Sequence, residues 1–332
     1  MMFVLQPGGA VPLPAQLLVV RVHVPPGQPV PRLEAVAATP GPGAGPLDVA
    51  AARVLALTVT QPTTVRVRPG DGGVFGPGSV FGLSVQTEGV NGSTVSLQGV
   101  DVSGLRQREL VLLTPREDQV VVSAVAQVAD LALPPVAVAA RIAARERLGV
   151  ARLPPAQALP LTVVVDVSAS MRPRLAAGEV ERALELLVGL AQVVSGPDAP
   201  AAALCAHELS SIPTAAPTSW AAEVSGAAAA RRAVVGFRSS RIPVPRSGGV
   251  TYLVTDAVPA DLAPDRPDPL HLVLLGDADP GTGTGAMAEV GPLPAATAVT
   301  VLPAVPTASV DPTADAVASL LAPLDLAEER SR

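Results

Sequence analysis

Residues 161–173 read LTVVVDVSASMRP. Five apolar or β-branched residues run into an acid, Asp166, and two serines follow at alternate positions, Ser168 and Ser170. A continuous apolar run of this length is the pattern of a strand buried on both faces, as in a parallel sheet. The next stretch, AGEVERALELLVGLAQVV, places Val180, Leu184, Leu187 and Leu190 at helical spacing. Strand followed by helix is the unit of an open α/β sheet, and in such sheets ligands bind beyond the carboxyl ends of the strands. D-x-S-x-S stands at that end.

Working outward, AAALCAHEL, VTYLVTDAV, PLHLVLLGD and TAVTVLPAV are further strand candidates, and DPTADAVASLLAPLDLAEE is a closing helix with Asp311 as its cap and Pro312 at its first position. The rhythm from residue 159 to 332 predicts a doubly wound parallel sheet. Residues 1–130 follow another rule. Short runs such as LLVVRVHV, ARVLALTV and RELVLLT alternate with Pro/Gly clusters such as TPGPGAGP, which predicts an all-β sandwich. The stretch 131–158 between them, a weakly amphipathic run VAVAARIAARERLG followed by the start of the Pro-rich ARLPPAQALP, is expected to be a connector.

Composition narrows the function. The chain has 332 residues, is 48% hydrophobic and only 2% aromatic, so its core is built from small branched side chains. Its basic residues are all Arg and are scattered, and the net charge is −6, which argues against nucleic acid as a partner. The single Cys205 excludes an intrachain disulfide and suits a reducing cytoplasm. MMFVLQPGG has no signal-peptide pattern. The longest uncharged stretch, residues 290–310, contains four prolines and is not expected to span a membrane.

One carboxylate and two hydroxyls are hard oxygen donors, suited to Mg²⁺, Mn²⁺ or Ca²⁺. The plainer alternative is that the serines cap the following helix and Asp166 holds loop amides. With these residues in view, LTVVVDVSASMRP resembles the opening of a von Willebrand factor A domain, in which D-x-S-x-S is the metal-ion-dependent adhesion site. VTYLVTDAVP resembles a later strand of that family, whose terminal Asp joins the site; Asp256 matches, preceded by Thr255. The resemblance covers roughly residues 159–325. It implies a divalent cation held by Asp166, Ser168, Ser170 and Asp256, with an open position for a carboxylate from a partner protein. The family also draws a Thr from an intervening loop, often within G-G-T. Here GGV stands in that place and Thr251 belongs to the strand, leaving Thr214, Thr218, Ser239 and Ser240 as substitutes.

The first region is similar to the tellurium-resistance TerD family. LQPGGAVPLPAQLLVVRVHVP resembles that family's opening. LDVAAARVLAL keeps an Asp, Asp48, and VNGSTVSLQGVDVSGLRQRELVLLTPREDQVVVSAVA resembles its closing region with Glu109 at an acidic position. The family's calcium-binding acids are mostly missing here. The pairing implies a cytoplasmic stress-response complex with other tellurium-resistance proteins as partners. The reading is therefore a non-enzymatic binding module. A metal-free scaffold is the alternative, and a metal-dependent phosphoesterase comes third, because only Arg172 and Arg174 lie near Asp166 in sequence.

Other residues invite attention. Cys205 and His207 in ALCAHEL lie two apart on an expected strand and so share a face, but no third partner for a metal is evident and a small buried thiol is expected. His271 reads as half-buried strand filler and His23 as part of a strand in the first region. LLGDADPGTGTG lacks the phosphate-loop lysine. Asp198 and Glu208 have nothing to bring them together, and Ser168 has no G-x-S-x-G context or partner His to make it a nucleophile.

Overall fold

The computed structural model describes residues 1–6, 8–37, 54–88, 92–125, 132–213, 215–243, 249–262, 270–276, 297–303 and 312–329, with the side chains of the last segment described over 313–322. The chain divides into two compact units, Met1–Asp130 and Leu131–Arg332.

In the first unit, residues alternate between apolar and polar. Along Leu18–His23, Leu18, Val20 and Val22 are buried while Arg21 and His23 are exposed. Ten strands form two five-stranded sheets: β1 (Met2–Val4), β8 (Thr94–Asp101), β7 (Val80–Thr87), β3 (Leu18–His23) and β5 (Val54–Leu57) in that order, and β2 (Ala10–Pro14), β10 (Gln119–Ala124), β9 (Arg108–Arg116), β6 (Thr63–Pro69) and β4 (Pro31–Ala37). All pairings are antiparallel except β1 with β8. Glu109 lies on β9, exposed and opposite Arg66 of β6. Asp48 falls outside the described residues.

The second unit is built on β11 (Leu161–Asp166), β12 (Ala201–Cys205), β13 (Leu209–Ile212), β14 (Val250–Thr255), β15 (Leu270–Gly276) and β16 (Thr297–Pro303). Their order across the sheet is β13-β12-β11-β14-β15-β16. Every pairing is parallel except that of β12 with β13. The chain therefore starts at the centre, steps to one edge, and returns to fill the other side. The helices are α1 (Pro135–Leu148), α2 (Arg172–Ala176), α3 (Glu179–Val194), α4 (Trp220–Ala230) and α5 (Pro312–Glu329). The expected cap of α5, Asp311, lies outside the described residues.

Leu161, Val163 and Val165 of β11, with Tyr252 and Val254 of β14, join the core that these helices cover. The opposite side chains, Val164, Cys205, Leu253, Leu270, Leu272 and Leu274, form a second core with Ile242, against which Phe237, Val258 and Leu262 pack. Helices on both faces were expected from the sequence. Among the described residues they cover one face, and the other is sealed by loop side chains. The sequence supplies the reason: the crossover segments around RIPVPRS and DAVPADLAPDRPDP are studded with prolines, which interrupt helices.

Stretch 131–158, expected as a connector, belongs to the second unit. Its helix α1 buries Ala137, Ala140 and Ala144 in the helical core. It ends at Gly149, whose φ of 69° is the left-handed conformation that glycine adopts without penalty. The Pro-rich segment beyond is tied to the end of α3, where a helix leaves carbonyls unsatisfied. Arg152 donates to the Gln192 carbonyl at 2.9 Å, and the Leu153 and Leu159 amides donate to those of Val193 and Val194, each at 2.8 Å.

The contact of α1 with α3 turns on Gly189. A Cβ there would lie 2.2 Å from the Ala137 carbonyl oxygen and 2.9 Å from the Ala140 Cβ. Both obstacles are backbone or the first side-chain atom, so no rotamer change relieves them. Gly189→Ala is expected to destabilise the second unit by about 2 kcal/mol, the ordinary cost of overpacking, despite alanine's better helix propensity. Gly226 of α4 has nothing within 4 Å of its would-be Cβ. Gly226→Ala should stabilise by about 0.5–1 kcal/mol. Thermal melts of the two variants should move in opposite directions.

Candidate functional site

Asp166 ends β11 at the centre of the sheet, with Cys205 as its register partner on β12. The pairing of Val165 with Val254 brings Thr255 and then Asp256 up beside it from β14. Two chain segments, with Ser170 and Asp256 86 residues apart, thus deliver five oxygen-bearing side chains to one spot.

These oxygens form a continuous chain. Thr255 Oγ1 donates to Asp166 Oδ2 at 2.9 Å, and Ser168 Oγ donates to the same oxygen at 3.0 Å. Ser168 Oγ meets Ser170 Oγ at 3.0 Å, and Ser170 Oγ donates to Asp256 Oδ1 at 3.0 Å. The Ser168 amide donates to Asp166 Oδ1 at 2.7 Å. Asp166, Ser168 and Thr255 are buried, Asp256 is half-buried and Ser170 is exposed. Asp166 is the floor and Asp256 the mouth. Around them lies an open depression of about 550 Å³, walled by Val235, Gly236 and Phe237 on one side and the segment from Ala257 to Asp261 on the other.

Burial pushes the Asp166 carboxyl above the ordinary carboxylate range. The amide of Ser168 and the hydroxyls of Thr255 and Ser168 oppose that shift, and the Asp256 charge adds to it. The ionised acid is thus uncomfortable without a countercharge. Burial also pushes the Cys205 thiol up, to about 11, with the charges of Asp166 and Asp261 adding to the effect. It is a protonated, inert core residue.

The hydroxyls do not serve as helix caps. Ser168 stands at the N-cap of the 3₁₀ turn Ala169–Met171 without a side-chain cap bond. Its oxygen faces Asp166 and Ser170 instead. Among the described residues no group of three or more His, Cys, Asp and Glu gathers to hold a metal. This set is two carboxylates and three hydroxyls. Its neighbouring oxygens are 2.9–3.0 Å apart. That is a hydrogen-bonding distance, and it is also the spacing of adjacent ligands in an octahedron with Mg–O bonds near 2.1 Å, about 2.9–3.0 Å. The donor set fits a small hard cation.

The structure distributes the remaining candidates. Thr251 is fully buried in β14 and donates to the Pro243 carbonyl. Thr218 is exposed just before α4, and Ser240 is exposed. Ser239 bonds Asp261 through its amide at 3.2 and 3.0 Å and through its hydroxyl to that residue's carbonyl. Thr214 lies outside the described residues, as do Asp277 and Asp279. The hydroxyl on Asp166 comes instead from Thr255, which reads in the sequence as one more β-branched strand residue.

Other expectations change. His207 is exposed in the turn after β12, so it does not share a strand face with buried Cys205. His271 is fully buried. Arg174 pairs with Glu179 at 3.1 Å, and Arg172 donates to the carbonyls of Ala229 and Arg231, so both are engaged. Asp198 and Glu208 flank opposite ends of β12 and are exposed.

No protein-family model matches the sequence, and no curated protein is significantly similar to it.

Proposed function

We propose that this end of the second unit is a divalent-cation site of the von Willebrand factor A type, and that the chain is a non-enzymatic protein-binding module. The carrying observation is the oxygen chain Thr255–Asp166–Ser168–Ser170–Asp256, which closes between two adjacent strand ends. The strand order, with one antiparallel edge strand beside a parallel set, supports this reading. Asp166, Ser168, Ser170 and Asp256 would hold Mg²⁺, Mn²⁺ or Ca²⁺. The cation would offer a Lewis-acidic point for a carboxylate of a partner protein. The two sheets of the first unit agree with a TerD-like sandwich, and the combination suits a cytoplasmic stress-response assembly with tellurium-resistance proteins.

A metal-free scaffold is the second reading, favoured by the fact that the hydroxyls already bridge both carboxylates. Phosphoester hydrolysis is less well supported, since Arg172 and Arg174 are committed elsewhere. Calorimetric titration of the full chain with each cation decides between the first two. Heat that saturates at one equivalent and vanishes in Asp166→Asn supports the site; flat titrations with all three cations leave the scaffold.

A further inference from the structure

The chain carries a net charge of −6, yet residues 231–241, RRAVVGFRSSR, hold four arginines and no acid. In the chain this segment lies between α4 and β14. The structure brings it to the edge of the oxygen cluster. Val234 forms a parallel bridge with Ser168 and its carbonyl accepts from the Ala169 amide at 2.8 Å. Arg172, two residues after Ser170, clamps the segment's start by donating to the carbonyls of Ala229 and Arg231. Asp261 fastens its far end through the amide and hydroxyl of Ser239.

What the segment presents outward is unpaired. Arg231, Arg232, Arg238 and Arg241 are all exposed, and none forms an ion pair among the described residues. Between them Val235 is 92% exposed, the most exposed large apolar side chain among the described residues, and it forms part of the wall of the depression. A protein this acidic does not need, for solubility, four arginines in one short segment that make no ion pair among the described residues. The valine at their centre offers apolar area whose burial by a partner would be favourable.

We infer that residues 231–241 are a docking surface for an acidic protein segment that carries carboxylates around an apolar side chain. Charge complementarity selects the sign of the partner. The arginines flank the depression and do not line it, which disfavours a small phosphate ester held inside. The carboxylates of Asp256 at the mouth and Asp261 in the wall would repel a nucleic-acid backbone, whereas a short peptide can set its acids against the arginines and its apolar side chain against Val235. The inference rests on reading this end of the sheet as a protein-binding face, but not on the cation.

The test uses the full chain and a short labelled peptide in which Asp-Glu pairs alternate with leucine, with the Lys-for-acid peptide and a single-stranded DNA oligonucleotide as comparisons. Binding is measured at low and high salt, in chelator and in Mg²⁺. The acidic peptide should bind in chelator, weaken as salt rises, and weaken about ten-fold or more when Arg231, Arg232, Arg238 and Arg241 are all changed to Ser. Val235→Ser should weaken it by a smaller factor without altering the salt dependence. The substitutions are on exposed side chains, and melting checks that the fold persists. No binding of the acidic peptide, equal binding by the four-fold variant, or tighter binding of the DNA would overturn the inference. Failure of the cation reading shows separately, as identical binding in chelator and in Mg²⁺ together with flat metal titrations.

Discussion

Acidification from pH 7 to pH 4 is expected to cost the second unit about 2–3 kcal/mol through one side chain, His271. It lies on β15 with no exposure, stacked on the Tyr252 ring at 5.2 Å between centroids. Its Nε2 is 2.6 Å from Thr300 Oγ1, which is 2.6 Å from Ser319 Oγ, and that hydroxyl donates to the Val299 carbonyl. Donation in one direction along this chain places the ring proton on Nε2. Nδ1 is then a bare acceptor, buried with no hydrogen-bond partner. Protonating it would create a buried charge and an orphaned donor together. Burial accordingly lowers the imidazole to about 4 from an ordinary 6.5. Because the unfolded chain takes up this proton at the higher value, stability is intact above pH 6.5 and is lost as pH falls towards 4. Asp166 and Glu185, whose folded carboxyls bind protons more readily, push the other way. The measurement is therefore a difference: urea denaturation of wild type and His271→Gln at both pH values. Gln keeps a donor for Thr300 and cannot titrate. If the two proteins lose equal stability on acidification, His271 is not the acid-labile group.

His271 also shows where sequence reading stops. Its neighbours Leu270 and Leu272 belong to one face of the sheet and it belongs to the other, under α5. A histidine within an apolar run reads as a residue on a wetter face, and here that face is dry as well. β11 and its terminal Asp166 were legible because a run of five apolar residues has only one place to go. Asp256 was singled out through the resemblance of VTYLVTDAVP to a later strand of the von Willebrand factor A family. Thr255 was not, since its meaning depends on the register that sets Val254 beside Val165. Helix α1 showed only as a weakly amphipathic stretch, and its place in the second unit was not legible. Its buried face is alanine, which carries little hydropathy signal, and its fit depends on Gly189 in another helix. Segment 231–241 has no periodicity, so its place beside the serines follows from a bridge between Val234 and Ser168 that no local pattern announces.

Mg²⁺ or Mn²⁺ at a hundredfold excess over its dissociation constant is expected to stabilise the wild-type chain by about 2.7 kcal/mol, provided the unfolded chain does not bind it. The observation behind this is a buried Asp166 whose ionised form is penalised by burial and by the neighbouring Asp256 charge. A cation relieves both at once. Asp166→Asn should abolish the gain, because it removes the charge a hard cation needs. It should also leave the metal-free protein more stable than wild type. The amide oxygen still accepts from the Ser168 amide or the Thr255 hydroxyl, whereas alanine would strip those buried donors of a partner. Ser168→Ala and Ser170→Ala should diminish the gain without erasing it, since water can replace a neutral oxygen ligand. Of the two, Ser168→Ala should also lower metal-free stability, because its hydroxyl is the buried link between Asp166 and Ser170. Thermal melts of the four proteins in chelator and in millimolar cation separate these outcomes. Should wild type melt at the same temperature in both conditions, the oxygen chain is a hydrogen-bonded latch between β11 and β14. The bonds of Thr255 to Asp166 and of Ser170 to Asp256 would then add a side-chain tie beyond the end of the β11–β14 ladder, and Asp166→Asn would raise the melting temperature equally in both conditions.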